Sequence, residues 1–272
     1  HWVTSLAEDK EGNIWVGTIS GISKLEGRNF ITFTKKHGLA GEHINSLTTD
    51  RNGNLWIATT EGIAIYDGKI FTSLTEKNGL NSNNISLIYA DKSGNIWMSS
   101  SAGVSKIVFD QKAPQDRSFD NYKVVNGIYN SPINCITEDG KGNIWFGTEG
   151  GAVRHDGIHN KLFTTENGLS DNAIQALIKD QHSNNIWVGT MKGLNRINEN
   201  EKVESFRVSD VQNGNKVSKL FMDEEENLWL GTQNGLYRFR DPSFATFSEK
   251  DGLNSPFIFP IFRDSKKNLW VG

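Results

Sequence analysis

Short runs of alternating apolar and polar residues recur from one end of this chain to the other. Four stand in a row between Ile44 and Thr75: INSLTTD (Ile44–Asp50), NLWIAT (Asn54–Thr59), GIAIYD (Gly62–Asp67) and IFTSLT (Ile70–Thr75). They are rich in β-branched and aromatic residues, and the turn-forming stretches DRNGN, TE and DGK separate them. That pattern predicts short antiparallel strands joined by hairpins. No segment holds an apolar stripe at helical spacing for the roughly 10–12 residues that a helix requires.

The four-strand pattern repeats. Trp15, Trp56, Trp97, Trp145, Trp187, Trp229 and Trp270 are separated by 41, 41, 48, 42, 42 and 41 residues. A period of about 40–45 residues suits the four-stranded blade of a β-propeller and some helical arrays, and the strand pattern selects the blade. The expected fold is an all-β propeller of four-stranded antiparallel blades, strands A to D in each, with units starting near residues 3, 44, 85, 133, 174, 217 and 258. Six complete blades and half of another make about seven. Half a blade leaves sheet edges open, which natural proteins avoid. Residues 1–272 therefore read as a single propeller cut from a longer repeat array.

The runs GNIWVGT (Gly12–Thr18), GNLWIAT (Gly53–Thr59) and GNIWFGT (Gly142–Thr148) put large apolar side chains on both faces of strand B, as in a sheet sandwiched between two others. In the first run Ile14 and Val16 share one face, and Trp15 and Gly17 the other. Burying one Trp removes ~150–250 Å² from water, worth at most about 4–6 kcal/mol. All seven tryptophans above are expected to anchor the structure, and the glycine two residues on to leave room for an aromatic ring from the next blade. Gly12 and Gly53 suit a left-handed position in the A–B turn. Asn184, Glu226 and Lys267 stand in that place later and should be strained or differently shaped. The longest step contains FDQKAPQDRSFDNY (Phe109–Tyr122), read as a C–D connection lengthened by about seven residues on the surface.

Composition narrows the function. Hydrophobic residues make up 36% and charged residues 22%, a soluble globular balance. A net charge of -3 gives no electrostatic case for nucleic acid or an anionic membrane. The longest strongly apolar stretch, PFIFPIF, falls far short of the ~18 residues that span a bilayer. Cys135 is the single cysteine, so no intrachain disulfide forms. The chain opens HWVTSLAED with no starting Met and no visible signal peptide, which is no argument for the cytoplasm.

The units NGLSDNAIQALIKDQHSNNIWVGTMKGLNRI (Asn167–Ile197) and NGLNSNNISLIYADKSGNIWMSSSAGVSKI (Asn78–Ile107) share Gly-Leu before strand A, Asp closing it, and Asn-Ile-Trp opening strand B. In these features essentially the whole chain resembles the two-component regulator propeller repeat family. The sixth unit departs by lacking Gly-Leu, and the third has Ser99 and Ser100 in place of Gly-Thr. The resemblance implies the extracytoplasmic, periplasmic sensor region of a membrane-anchored hybrid histidine kinase. It implies an oligosaccharide or other small ligand as signal, a homodimer as one arrangement, and no cofactor. Related repeats occur in secretion-associated surface proteins, which implies a structural or protein-docking propeller as the alternative. GNIWFGTEGG is also similar to the repeats of the streptogramin B lyases, but no metal-positioned acid/base pair can be placed in this sequence.

Catalytic and metal-binding patterns are sparse. His155 and His159 stand four apart in HDGIH, in a C–D turn rather than on a helix, and read as a solvated hairpin tip. DRNGN (Asp50–Asn54) has the start of a calcium loop without its later acidic residue. Cys135 reads as a buried small hydrophobe. Neither a nucleophile elbow nor a phosphate-binding loop is present, so no catalytic residue, metal or cofactor is assigned and this region is read as non-enzymatic.

Binding is read from what varies. By strand alternation the D–A and B–C connections share one end of each blade, and their tips differ in every unit. The candidate ligand-binding face is His43, Asn84, Tyr129, Asn130, Glu149, Asp171, Lys192, Gln233 and Phe257, which offers donors, acceptors and aromatic platforms to a sugar or peptide. A glycan site predicts a polar pocket with one or two aromatics; a docking surface predicts one broad apolar patch.

Overall fold

The computed structural model describes residues 2–109, 117–122, 133–208, 215–240, 243–258 and 260–271. Among these residues are six four-stranded antiparallel sheets, each paired in chain order, and one two-stranded sheet, Ile261–Arg263 with Leu269–Val271. Among them there is no α-helix. The fold is an all-β propeller of four-stranded blades. Two compact units divide the chain. The first, His1–Pro132 with Phe262–Trp270, holds blades 1 to 3, whose A strands are Val3–Glu8, Ile44–Thr49 and Ile85–Ala90. The second, Ile133–Ile261 with Val271–Gly272, holds blades 4 to 6, whose A strands are Ile133–Glu138, Ile174–Lys179 and Val217–Met222. The two-stranded sheet begins at Ile261, three residues after the repeat spacing predicts.

Each A–B hairpin is organised by the aspartate that closes strand A. In blade 1, Asp9 Oδ1 accepts the N–H groups of Glu11 and Asn13, both at 3.0 Å. Its Oδ2 accepts Asn13 Nδ2 at 2.9 Å and the indole Nε1 of Trp15 at 2.7 Å. The turn ends on Gly12, at φ 79°. A side chain that bonds its own backbone two residues on is a ready-made turn. The indole contact recurs at Asp50, Asp91, Asp139, Asp223 and Asp264, at 2.8 to 3.0 Å. In blade 5 the turn is one residue longer, and the contact from Trp187 to Asp180 lengthens to 3.2 Å. That extra residue keeps Asn184 out of the left-handed region, whereas Glu226 and Lys267 are forced into it at φ 66° and 72°.

Strand B is buried on both faces in blades 2, 4 and 5. Within each unit, apolar clusters fill the space between consecutive blades. Trp15, Ile44, Leu55 and Ile57 pack between blades 1 and 2, and Trp56, Ile85, Ile96 and Met98 between blades 2 and 3. In the second unit Trp145, Ile174, Ile186 and Val188 join blades 4 and 5, and Trp187, Val217, Leu228 and Leu230 join blades 5 and 6.

The glycine two residues after Trp15, Trp187 and Trp229 does not make room for an aromatic ring. A Cβ on Gly17 would lie 2.7 Å from Ile44 Cγ2, and one on Gly189 2.7 Å from Val217 Cγ1. One on Gly231 would lie 3.0 Å from Ile258 Cγ2. The space belongs to a β-branched residue at the start of the next blade. Aromatic rings pack on the Trp itself: Tyr66 and Phe71 of blade 2 lie 5.1 and 6.3 Å from Trp15.

Blade 3 also corrects the expectation. Strand C runs Gly103–Phe109 and strand D Arg117–Tyr122, so RSFDNY is strand rather than connection. Its alternation is paired to strand C from Val104 to Phe109. Residues 110–116 lie outside the described set. Cys135 is buried, and burial pushes its thiol up to about 12.

Burial opposes ionisation of Asp9, Asp139, Asp180 and Asp223, but the converging N–H donors outweigh it and hold these carboxyls below the ordinary value of 3.8. A depressed native pKa stabilises the fold above the unfolded value, and the contribution disappears as pH falls through the native one. Stability in chemical denaturation should therefore be flat near neutrality and fall steeply below about pH 4. Replacing Asp139 with Ala leaves the Trp145 indole and Asn143 without their acceptor and should cost about 3 kcal/mol, with a shallower acid limb. Gly189→Ala should lower stability by about 2 kcal/mol through overpacking against Val217, read from the shift in denaturation midpoint.

Candidate functional site

The D–A and B–C connections are held by local hydrogen bonds that leave their tips free to vary. In the D–A loops a Thr or Ser precedes one short 3₁₀ turn: Lys35–His37, Glu76–Asn78, Thr165–Asn167 and Glu249–Asp251. The third turn residue reaches back to the N–H of that Thr or Ser, as Asn167 Oδ1 does to Thr164 at 2.8 Å. A left-handed glycine ends each turn, and after three of them a buried leucine, Leu39, Leu80 or Leu169, enters the core. In the B–C turns a hydroxyl does the work. Thr190 Oγ1 donates to Gly193 O at 3.0 Å and accepts Lys192 N–H at 3.2 Å. Thr18, Thr59, Ser100, Thr148 and Thr232 repeat the arrangement.

The predicted residues are distributed over both units. In the first, His43 and Asn84 are exposed. The backbone of His43 accepts Thr60 N–H at 3.3 Å, and Asn84 N–H donates to Ser82 Oγ at 3.2 Å. In the second unit, Asp171 and Lys192 meet in an ion pair of 2.7 Å, which together with backbone N–H donors holds the half-buried Asp171 carboxyl below its ordinary value against the cost of burial. Glu149 is exposed, with its Oε1 accepting Asn134 Nδ2 at 2.7 Å and Gln175 Nε2 at 3.4 Å. Gln233 is half-buried, and Phe257 is exposed. Tyr129 and Asn130 lie outside the described residues.

Asn134 and Gln175 were not anticipated, and both sit on a β-bulge. Every strand A of blades 1 to 6 slips by one residue against strand B at its second position. The bulged residues are Thr4, Asn45, Ser86, Asn134, Gln175 and Ser218, all polar. A bulge re-aims its side chain. Asn45 Nδ2 donates to Ile85 O at 2.8 Å and Asn134 Nδ2 to Ile174 O at 2.9 Å, each latching its blade to the next. The signal was a polar residue directly after the β-branched residue that opens each strand A.

The opposite end of unit 2, where the A–B and C–D turns lie, carries clefts. One of about 430 Å³ lies between blades 5 and 6, lined by Asp180, Trp187, Arg196, Glu225, Phe239 and Arg240 among others. Between blades 4 and 5 the space beside Asp139, Trp145 and Arg154 is about 20 Å³, and a more open cleft of about 350 Å³, lined by Lys141, Lys179, His182 and Asn184 among others, adjoins it. Arg196 lies over the Trp187 ring at 5.2 Å and bonds Glu204 through Nη2 at 2.6 Å. Lys106, Arg154 and Arg238 likewise lie over Trp97, Trp145 and Trp229.

Among the described residues no three His, Cys, Asp or Glu side chains converge as metal ligands. His155 is buried against Asn160 at 2.9 Å, while His159 is exposed beside Asp156. The carboxylate of Asp50, the first candidate calcium ligand, already accepts from Asn52, Asn54 and Trp56. No helix among the described residues is long and apolar enough to cross a membrane.

The extracellular domain of a hybrid two component system from B. thetaiotaomicron matches with a TM-score of 0.80 and 24% identity, over 100% of this chain. This chain spans 38% of that structure's length. A virginiamycin B lyase from Staphylococcus aureus matches with a TM-score of 0.79 and 14% identity, over 99% of this chain and 91% of that one. PorZ, a surface component of the type-IX secretion system of Porphyromonas gingivalis, matches with a TM-score of 0.71 and 16% identity, over 96% and 44%. At these identities the likeness is one of fold. No curated protein matches the chain. The model of the two component regulator propeller matches residues 1–20, 38–61, 79–102 and 128–150, so this chain carries two component regulator propeller repeats.

Proposed function

We propose that this chain is a non-enzymatic ligand-recognition propeller, part of the periplasmic sensor region of a membrane-anchored hybrid histidine kinase. Its two-stranded sheet supplies the inner strands of a seventh blade. An oligosaccharide is the signal, read at the D–A/B–C end. The observation that carries this reading is the polar cluster there in unit 2. Glu149 is braced by Asn134 and Gln175, and Lys192 is braced by Asp171. Planar amides and carboxylates held by neighbours suit paired sugar hydroxyls, and the backbone beneath them repeats unchanged. The repeats and the similarity to a sensor's extracellular domain support the same reading. Signalling then requires the ligand to bind one arrangement of the sensor, here a dimer, more tightly than another.

Exposed Met191 and Phe257, 41% and 59% accessible at the same end, favour a second reading as a protein-docking scaffold. Calorimetry with a panel of oligosaccharides separates the two. Glu149→Ala and Lys192→Ala should each weaken glycan binding at least about tenfold. Both sites are exposed, so stability should change by less than about 1 kcal/mol. Absence of any glycan binding, or undiminished binding by both variants, would give the docking reading precedence.

A further inference from the structure

In the A–B turns of blades 1 and 2, the residue after the aspartate is a long cation that lies across the following blade. Lys10 runs along the turn of blade 2, where a Cβ on Gly53 would come 3.0 Å from Lys10 Cδ. Its Nζ ends on Asp67 O, in the C–D turn of blade 2, at 3.0 Å. Arg51 lies against the turn of blade 3 in the same way, its Cδ 3.3 Å from a Cβ on Gly94. In blade 4 the equivalent residue is Gly140, which has no side chain to lay across. The longer turn of blade 5 meets it with Asn184, whose Oδ1 accepts Gly140 N–H at 2.5 Å. The cleft of about 350 Å³ lies in the place of the missing side chain, between Gly140, Asn184 and Glu199 of the C–D turn. The turns that line it, residues 139–143, 180–185 and 198–202, are described throughout.

We propose that this cleft binds a small phosphate monoester that carries a hydroxyl beside its phosphate. Two lysines, a histidine and one carboxylate line it: Lys141 from blade 4, and Lys179, His182 and Glu199 from blade 5. Lys179 Nζ donates to Asp180 O at 2.6 Å, which uses one of the three ammonium protons. His182 Nε2 lies 3.2 Å from Glu226 Oε1, which holds the ring at the rim. Ser183 Oγ accepts Asn185 N–H at 3.2 Å and keeps its proton to donate. An ammonium is a compact point charge that meets a phosphate oxygen from any side, whereas a planar carboxylate is matched best by an arginine fork. Two lysines therefore suit a phosphate dianion better than a carboxylate. Glu199 Oε1 accepts Asn184 N–H at 3.2 Å, and its second oxygen can take a ligand hydroxyl. The same charge disfavours a second anionic group on the ligand. The volume exceeds what phosphate alone would fill and falls within the range of small-ligand sites, roughly 300–1,000 Å³. This site lies at the opposite end of the blades from the one proposed above and does not depend on it.

The test is calorimetry on the whole chain with glycerol 3-phosphate, inorganic phosphate and glycerol. Glycerol 3-phosphate should bind, inorganic phosphate more weakly, and glycerol not at all. Lys141→Gln, at an exposed position, should lose about tenfold in affinity for the ester and keep the parent's unfolding midpoint. Gly140→Gln restores a side chain in the place that Lys10 fills, without its charge. A Cβ there would press only on the movable ends of Asn184 and Lys179, so this variant should fold and lose at least about tenfold. No binding of glycerol 3-phosphate at millimolar concentration, inorganic phosphate binding as tightly, or unchanged affinity in Lys141→Gln overturns the proposal. Loss of ester binding in Lys192→Ala overturns it as well, by moving the phosphate to the D–A/B–C end.

Discussion

A carboxylate buried at the end of strand A is the interaction on which the rest of this structure depends. A buried charge is costly unless donors surround it. At Asp9 and Asp139 an indole N–H, an asparagine amide and two backbone N–H groups do so. That convergence sets the shape of the A–B turn and fixes the Trp ring edge-on to the carboxylate. With the ring fixed, a Lys or Arg from strand C lies over one face in blades 3 to 6, at 5.2 to 5.9 Å. Further along strand B, a glycine lets the next blade's first β-branched residue approach. Turn, strand and blade spacing thus follow from one charge and its donors.

The two ends of the blades are built by different chemistry, and the difference separates variation from constancy. At the A–B end the aspartate is committed to structure, so the turns hardly change. At the B–C end a hydroxyl closes the hairpin through main-chain bonds alone, and the two residues between Thr and Gly are free to be Met191 and Lys192 or Glu149 and Gly150. Recognition can therefore be written onto the D–A/B–C tips without cost to the core. Where the A–B turn itself changes, in blade 5, the clip is longest and a cleft of about 430 Å³ lies next to it.

Much of this was legible in the residues. Alternation in INSLTTD and GIAIYD, and the turns between them, are local properties, and they placed the strands of blade 2 correctly. The spacing of the tryptophans determined the blade repeat. Asp closing strand A was visible as a shared feature, yet its role as acceptor for the indole six residues on was not, because a hydrogen bond leaves no periodicity. The polar tips were visible as variation. Which of them meet was not: Asp171 and Lys192 pair across a loop and a hairpin, and Glu149 is braced by Gln175 from the following blade.

The sequence by itself therefore determined fold class, the number and order of strands in each blade and the end at which variation gathers, since alternation and turn chemistry act over a few residues. Only the tertiary structure decided what each glycine faces, where strand A bulges, and which side chains meet between blades. Those depend on residues about forty positions apart meeting across a blade interface. There, Glu201 reaching Arg154 and Gln175 bracing Glu149 are matters of reach and packing that no local pattern records.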